Sequence, residues 1–179
     1  DKPILYFPSF FHPDPSVERQ SGFLSPILLN SSYSGQSIQI PYYKVLSKSK
    51  DLTVSPRIFF DDSILLQTEY RQANRNSEAI IDFSFNKDDN KSRSHFFANL
   101  SGTSLEDNNY EINLQKVNSD KYLKLQEIRS SLLKDETTLN SFLKLQNNNE
   151  NYLLDASVEV YEDLSKNNND RFEYIYPNY

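Results

Sequence analysis

The side chains that most often catalyse reactions or bind metals are few and scattered in this chain. His12 and His95 are its only histidines, and neither lies among carboxylates at the spacing of a zinc site. His12 lies between Phe11 and Pro13, which favours a structural role. The sequence also lacks a glycine-rich phosphate loop and a Gly-x-Ser-x-Gly nucleophile turn. It therefore predicts no metal site and no cofactor.

Carboxylates are more numerous, and their chemistry suits two kinds of site, a calcium site and a glycosidase pair. Asp61-Asp62 and Asp88-Asp89 could hold calcium weakly, but they lack the spacing of a calcium-binding loop, and turn formation explains them better. Two acids on facing strands could instead hydrolyse a glycosidic bond. The acids that could form such a pair are Glu69, Asp82, Asp155 and Glu159. Spacing alone singles out no two of them, so the chain is predicted not to be an enzyme.

Composition excludes further classes of function. The 179 residues carry a net charge of −6 with the charges interspersed, so nucleic acid and anionic membrane surfaces are unfavourable partners. The chain contains no cysteine and no apolar run of the length of a transmembrane helix. It begins at Asp1 without an initiating Met, which suggests a processed chain or a soluble part cut from a longer protein.

From Ser21 onward, apolar and polar residues alternate with the period of a β-strand. The pattern predicts an all-β protein of about ten strands in sequential antiparallel hairpins, with a charged loop at 87–94 and an Asn-rich turn at 147–150. After the first hairpin, the predicted strands are 52–60, 64–71, 78–85, 95–103, 110–115, 138–146, 152–161 and 172–176. Residues 119–136 lose the alternation, which predicts a long loop or a short helix between strands.

Two architectures fit this alternation. Several strands have the length of a tilted strand that crosses a membrane, and alternating segments separated by polar loops are typical of outer-membrane β-barrels. A soluble antiparallel sandwich gives the same pattern. Strand length and alternation alone leave both open.

The first predicted hairpin contains a proline in each strand. Its strands are 19–26 and 38–43, and a tip at Tyr33-Ser34 would place Pro26 opposite Pro41. Proline donates no ladder hydrogen bond, so two prolines at one level would weaken the hairpin there. The alternative is that each proline only marks a bulge or the end of a strand.

Six short motifs follow one another along the first part of the chain. The motifs, in order, are Pro3-Ile4-Leu5-Tyr6-Phe7-Pro8, His12-Pro13-Asp14, residues 19–26, Ile40-Pro41-Tyr42-Tyr43, Asp51-Leu52-Thr53-Val54-Ser55-Pro56-Arg57 and Glu69-Tyr70-Arg71. The ordered series resembles the lipopolysaccharide-assembly outer-membrane protein family, also called organic solvent tolerance proteins. The resemblance is dense over residues 3–71 and thins after Phe85. The chain departs from many members by having Lys44 after the tyrosine pair and by lacking tryptophan.

The resemblance implies a domain organisation and a place in the cell. Residues 1–20 would be an extended lead-in from a missing upstream jellyroll, and residues 21–179 the first part of a β-barrel in the outer membrane of a Gram-negative bacterium. Pro26 and Pro41 would form a lateral gate through which lipopolysaccharide leaves the barrel. The residues implied as flanking the gate are Gly22, Phe23, Leu24, Ile40, Tyr42 and Tyr43.

The same resemblance implies partners. These are lipopolysaccharide, a lipoprotein that plugs the barrel lumen, and periplasmic bridge proteins that bind the missing jellyroll. An isolated fragment is expected to associate through its unpaired sheet edges. The alternative function is a soluble β-sandwich that acts in binding or adhesion, and a carbohydrate-active enzyme is the third class.

Overall fold

The computed structural model describes residues 19–61, 63–88, 91–104, 108–149, 152–166 and 170–176, and this part of the chain is all-β with one short helix. The strands are β1 (Gly22–Phe23), β2 (Ile27–Ser31), β3 (Gly35–Gln39), β4 (Tyr42–Ser47), β5 (Lys50–Phe59), β6 (Ile64–Ala73), β7 (Ser77–Asp88), β8 (Lys91–Thr103), β9 (Asn108–Val117), β10 (Thr138–Asn149), β11 (Tyr152–Asp163) and β12 (Phe172–Ile175). The helix α1 is Tyr122–Leu125. The predicted fold class is confirmed.

All the strands belong to one antiparallel sheet. Its main path runs β1-β4-β5-β6-β7-β8-β9-β10-β11-β12, while β2 pairs with β3 and β3 pairs with β5. β1 with β2, and β3 with β4, are therefore halves of two longer strands, which accounts for the prediction of about ten. Among the described residues β1 and β12 do not pair, so the sheet is open, as a partial barrel would be.

Two predicted loops are wrong. The described residues of the predicted charged loop at 87–94 are strand instead: β7 continues to Asp88 and β8 begins at Lys91. The Asn-rich turn at 147–150 is also mostly strand, because β10 runs to Asn149 and Asn147 is buried. Polar residues favour turns locally, but ladder pairing with the neighbouring strands outweighs that preference here.

The two faces of the sheet are the reverse of those in a soluble protein. One face, called the outer face, exposes apolar side chains: Phe83 of β7 is 42% exposed and Leu114 of β9 is 48% exposed. The opposite, inner face buries polar ones, with Asp82 and Ser84 of β7 both at 0%. Within the described residues no helix is long and apolar enough to cross a membrane.

The inner face is covered by the segment that joins β9 to β10. This segment, residues 118–137, is called the excursion; it contains α1 and has no strand, as predicted for 119–136. Gln67 of β6 donates to the Arg129 carbonyl at 2.8 Å, and Gln115 of β9 donates to the Leu132 carbonyl at 2.7 Å. The excursion therefore satisfies polar groups that the strands turn inward.

A small apolar cluster fixes the excursion at one end of the sheet. Leu123 and Ile128 of the excursion are buried against side chains from strand ends, among them Phe59 of β5 and Leu65 of β6. Burying a leucine side chain is worth about 2–3 kcal/mol. The excursion is thus held by apolar packing as well as by hydrogen bonds.

Candidate functional site

The first hairpin is interrupted in both of its strands. Residues 24–26 separate β1 from β2, and Ile40 and Pro41 separate β3 from β4. Within the described ranges, β1 pairs only with β4, whereas β2 pairs only with β3. The predicted gate residues Pro26 and Pro41 both lie at this interruption, which divides the hairpin into two short pieces.

The predicted facing of Pro26 and Pro41 is wrong. On one side of the break Ile27 pairs with Gln39, and on the other Phe23 pairs with Tyr42, so the first strand holds one extra residue between the two registers. The residue that reaches Pro41 is Leu24, whose N–H donates to the Pro41 carbonyl at 2.9 Å. The first strand therefore contains a bulge beside Pro26.

The hairpin turn explains the shifted register. Ser31 pairs with Gly35, which leaves a three-residue loop centred on Tyr33. Gly35 has a φ of 72°, the left-handed conformation that glycine adopts without a Cβ penalty. The Ser31 hydroxyl accepts hydrogen bonds from the Tyr33 and Ser34 amides at 3.1 and 3.3 Å. The turn is therefore centred on Tyr33, whereas the prediction placed its centre between Tyr33 and Ser34.

A third proline lies at the same level, in β5. Ile40 donates its N–H to the carbonyl of Pro56 at 3.0 Å. At the hydrogen-bonded positions of an antiparallel ladder the facing residues exchange two hydrogen bonds, but Pro56 has no N–H to return. The pair Leu24–Pro41 likewise has one hydrogen bond instead of two, because Pro41 has no N–H. In the sequence Pro56 stands out only as part of a motif. Its place opposite Ile40 depends on the pairing register of β5, which the sequence does not show.

The ladder between β5 and the next strand, β6, is not interrupted. From Lys50–Gln72 to Ile58–Ile64, the ladder between β5 and β6 is paired at every position, including Pro56 with Leu66. Because the Pro56 carbonyl points to Ile40, the missing N–H would also have pointed away from β6. The missing hydrogen bonds therefore lie within the first hairpin, at Leu24–Pro41, and between the hairpin and β5, at Ile40–Pro56.

The predicted flanking residues hold the lower part of the hairpin. Gly22 and Phe23 of β1 pair with Tyr43 and Tyr42 of β4. The Phe23 and Tyr42 rings meet edge to face at 5.0 Å. Leu24 is half-exposed, and Phe23 is 76% exposed on the sheet surface. This part of the hairpin thus keeps both backbone and aromatic contacts.

An acid anchors the residues that lead into β1. The Asp51 carboxylate lies almost fully buried at the start of β5 and contacts Arg19 Nη1 at 3.0 Å and Arg71 Nε at 2.8 Å. The Val45 amide also donates to the Ser21 hydroxyl at 2.9 Å. The residues before β1 are therefore fastened to β4 and β5.

On the inner face, a buried network of hydrogen-bonded polar side chains joins the excursion to the strands. The Ser84 hydroxyl lies 2.6 Å from Tyr122 Oη and 2.6 Å from His95 Nδ1. His95 Nε2 lies 3.4 Å from Asp82 Oδ1, and Gln67 donates to that carboxylate at 3.0 Å. Burial raises the pKa of Tyr122 to about 12. The pairing of Ser84 with Tyr122 was not foreseen, because their distance in the chain carries no pattern.

The remaining acids named as chemical candidates have structural partners. Glu69 accepts from Ser131 at 3.0 Å, Asp155 from Gln146 at 3.4 Å, and Glu159 pairs with Lys144 at 3.1 Å. Asp61 accepts two hydrogen bonds from Ser63 within its turn. His12 lies outside the described residues, as do the side chains of Asp62 and of Asp88-Asp89. No group of three potential metal ligands occurs in the described part of the chain.

Comparisons with known proteins agree with the geometry. No family model matches the chain. LPS-assembly protein LptD of Nitrosomonas eutropha is 34% identical over 85 residues, which is 48% of this chain and 12% of that protein. LptD of Pseudomonas savastanoi is 33% identical over 93 residues, or 52% of this chain and 10% of that protein.

A third relative matches a longer stretch. LptD of Cupriavidus necator is 31% identical over 127 residues, which is 67% of this chain. The match covers 15% of that protein, so the chain spans only a small part of the length of its curated relatives. The sequence identity agrees with the all-β open sheet and the outward apolar face, and over half of its length or more the chain is similar to part of the LPS-assembly protein LptD.

Proposed function

We propose that this chain is the first part of an outer-membrane β-barrel that delivers lipopolysaccharide to the cell surface, and that its interrupted hairpin is the lateral gate. Residues 19 and 20 would end the lead-in from an upstream jellyroll, and the barrel would start at residue 21. The chain contributes a wall and an opening, with no bond-making chemistry.

The observation that carries the proposal is the pairing of an exposed apolar face with a buried polar one. Ile81, Phe83 and Phe85 project outward from β7, while Asp82, Ser84 and Asn86 are buried on the inner face. A sandwich would cover its apolar face with a second sheet, whereas a barrel wall turns that face to lipid. The soluble binding module is therefore disfavoured.

Loop lengths support an orientation. At one end of the sheet β4–β5 and β6–β7 are joined by two and three residues, 48–49 and 74–76, and at the other end lies the excursion. Barrels of this kind have short periplasmic turns and longer extracellular loops. The excursion end would face outward, and the Pro56 level, close to the Phe59 end of β5, would lie in the outer half of the membrane.

The proline level suits the sideways passage of a lipid with a large sugar head. The pairs Leu24–Pro41 and Ile40–Pro56, in two neighbouring ladders, each lack one hydrogen bond. The backbone pairing of the wall is therefore weakest at the level where the gate would have to open. The sugars would travel past the polar inner face, while the acyl chains stay beside the apolar outer face. Pro26 contributes through the bulge that separates β1 from β2.

The proposed partners follow from the same role. Lipopolysaccharide would pass through the opening, a lipoprotein would fill the part of the lumen that later strands enclose, and periplasmic bridge proteins would bind the upstream jellyroll. The name of the relatives, LPS-assembly protein LptD, supports the first of these partners. We propose the other two from the same role.

The test restores the missing donors in the full-length protein. Pro41→Ala would offer an N–H to the Leu24 carbonyl and Pro56→Ala one to the Ile40 carbonyl. Each new bond is worth about 0.5–1.5 kcal/mol, so both together would lower the open population roughly five- to 150-fold. The measurement is the rate at which lipopolysaccharide reaches the cell surface at matched protein levels, and Pro26→Ala is measured alongside.

A matched control separates the added bond from a lost side chain. Leu28→Ala truncates an exposed side chain of β2, 76% exposed, and adds no donor. We expect export to slow in the proline variants and to stay unchanged in the control. Export at the wild-type rate by a folded Pro41→Ala/Pro56→Ala protein would mean that the prolines only mark bulges.

A further inference from the structure

Arg57 is a buried arginine next to Pro56 in β5, and it touches two separate segments. Its Nε donates to the Ser37 hydroxyl of β3 at 2.8 Å, and its Nη2 lies 3.4 Å from the Ser34 hydroxyl in the hairpin turn. Its Nη1 donates to the Gln126 carbonyl of the excursion at 2.5 Å. One side chain therefore connects the hairpin and the excursion.

The acceptors of these bonds are two hydroxyls and a carbonyl, all neutral. Arg57 is 3% exposed, and a buried charge costs several kcal/mol unless its hydrogen bonds are satisfied. The Phe59 ring centroid lies 4.6 Å from the guanidinium carbon. Losing the Gln126 carbonyl would leave the guanidinium short of an acceptor and would favour its turning toward water. Its bonds to the hairpin would then be lost as well.

The piece of hairpin that Arg57 holds has few other attachments to the wall. This distal hairpin, residues 27–39, joins β5 through three register pairs that end at Gln39–Arg57. One further bond runs from the Phe60 amide to the Gln36 carbonyl at 3.1 Å. On the other side of those pairs lies the interruption. The bonds of Arg57 are thus a large share of what keeps the distal hairpin against β5.

We propose that Arg57 is a positioning residue that couples the distal hairpin to the excursion. While the excursion covers the inner face, Arg57 is satisfied and the hairpin is held closed. When a sugar chain in the lumen displaces the excursion, Arg57 loses an acceptor and the hairpin is released. The gating consequence rests on the proposed function, whereas the coupling itself rests on the contacts of Arg57.

Amide exchange of the whole protein in phospholipid vesicles tests the coupling without export. Arg57→Gln is expected to speed exchange about tenfold or more in both 27–39 and 122–133, because bonds from a charged donor are among the stronger ones. Arg19→Gln is the matched control, since Arg19 pairs with Asp51 at 3.0 Å and both residues lie outside the two segments. That control should leave both segments unchanged.

A second variant removes only the hairpin end of the connection. Ser37→Ala deletes the acceptor of Arg57 Nε and keeps the arginine. Because coupling between two sites is reciprocal, this change in β3 should also speed exchange in the excursion. The effect should disappear when Ser37→Ala is placed in the Arg57→Gln background.

The outcomes separate this proposal from the proposed function. Exchange in 122–133 that does not respond to Ser37→Ala, or responds equally in both backgrounds, overturns the coupling. A protein that shows the coupling but whose depletion leaves lipopolysaccharide export intact overturns the proposed function. Faster exchange confined to the mutated strand would mean that Arg57 has a local packing role only.

Discussion

Replacing Tyr122 by Phe removes one hydroxyl from the buried chain that holds the excursion. The ring and its packing remain, so no cavity forms, and Ser84 keeps its contact with His95 at 2.6 Å. The loss is then close to the net value of one hydrogen bond. We expect the variant to be less stable by about 1 kcal/mol at pH 8.

The alkaline pH dependence gives a sharper signature. Burial raises the pKa of Tyr122 from 10.0 to about 12, so folding favours the protonated phenol. That contribution is complete below pH 10 and is lost as the pH rises from 10 through 12. With these two pKa values, roughly 1 kcal/mol is lost by pH 11. The advantage of the wild-type protein over Tyr122→Phe should therefore vanish near pH 11.

The assay is urea unfolding of the full-length protein in phospholipid vesicles, followed by far-UV circular dichroism at pH 8 and pH 11. Tyr174→Phe, at a tyrosine of β12 that is 57% exposed, controls for the general loss of a hydroxyl. A difference between wild type and Tyr122→Phe that is the same at both pH values would refute the reasoning.

Three other changes test separate contacts. Asp51→Asn should cost about 1 kcal/mol and speed amide exchange at 19–23, because the arginines paired with Asp51 are partly exposed; unchanged exchange there would contradict the anchor. Gly102→Ala should cost about 1–3 kcal/mol in thermal unfolding, since its Cβ would lie 2.6 Å from Tyr110 Oη and 2.7 Å from the Asn76 carbonyl oxygen, and a neutral change would mean that both the ring and this turn move freely. The hydrogen bond from Arg171 lowers the pKa of Asp120, so their contact is present above the ordinary value of 3.8 and is lost as the pH falls below it; exchange around residue 171 should rise only in acid, and Asp120→Asn should remove that dependence.

The strands and the excursion could be predicted because their signals are periodic. Alternation over six to ten residues marks a strand wherever a face is apolar, and its loss at Tyr122, Leu123 and Ile128 marked the excursion. Strand ends could not be predicted as well, since Asn147 and Asp88 have turn propensity but continue their ladders. Local composition indicates where a turn can form, whereas pairing with the neighbouring strand determines where a strand ends.

The site was predicted in part for a related reason. Pro26 and Pro41 are visible as prolines within strands, but their register depends on the left-handed Gly35, which shifts the hairpin tip. Pro56 and Arg57 acquire their roles only when β5 is placed beside β3. Their partners are chosen by three-dimensional proximity, for example Gln126, 69 positions away from Arg57.

The excursion also bears on the order in which the chain folds. The hairpins need only neighbouring segments, whereas the bonds of the excursion to Ser84 and Arg57 join residues 38 and 69 positions apart. Closing such long loops costs entropy before any contact repays it, so these bonds should form late. All the strands that the excursion contacts from β5 to β9 precede it in the chain, so it can dock before β10 to β12 are in place. We therefore expect the hairpins of β5–β9 to form first, the excursion to dock on them afterwards, and Leu139 of β10 to complete its apolar packing.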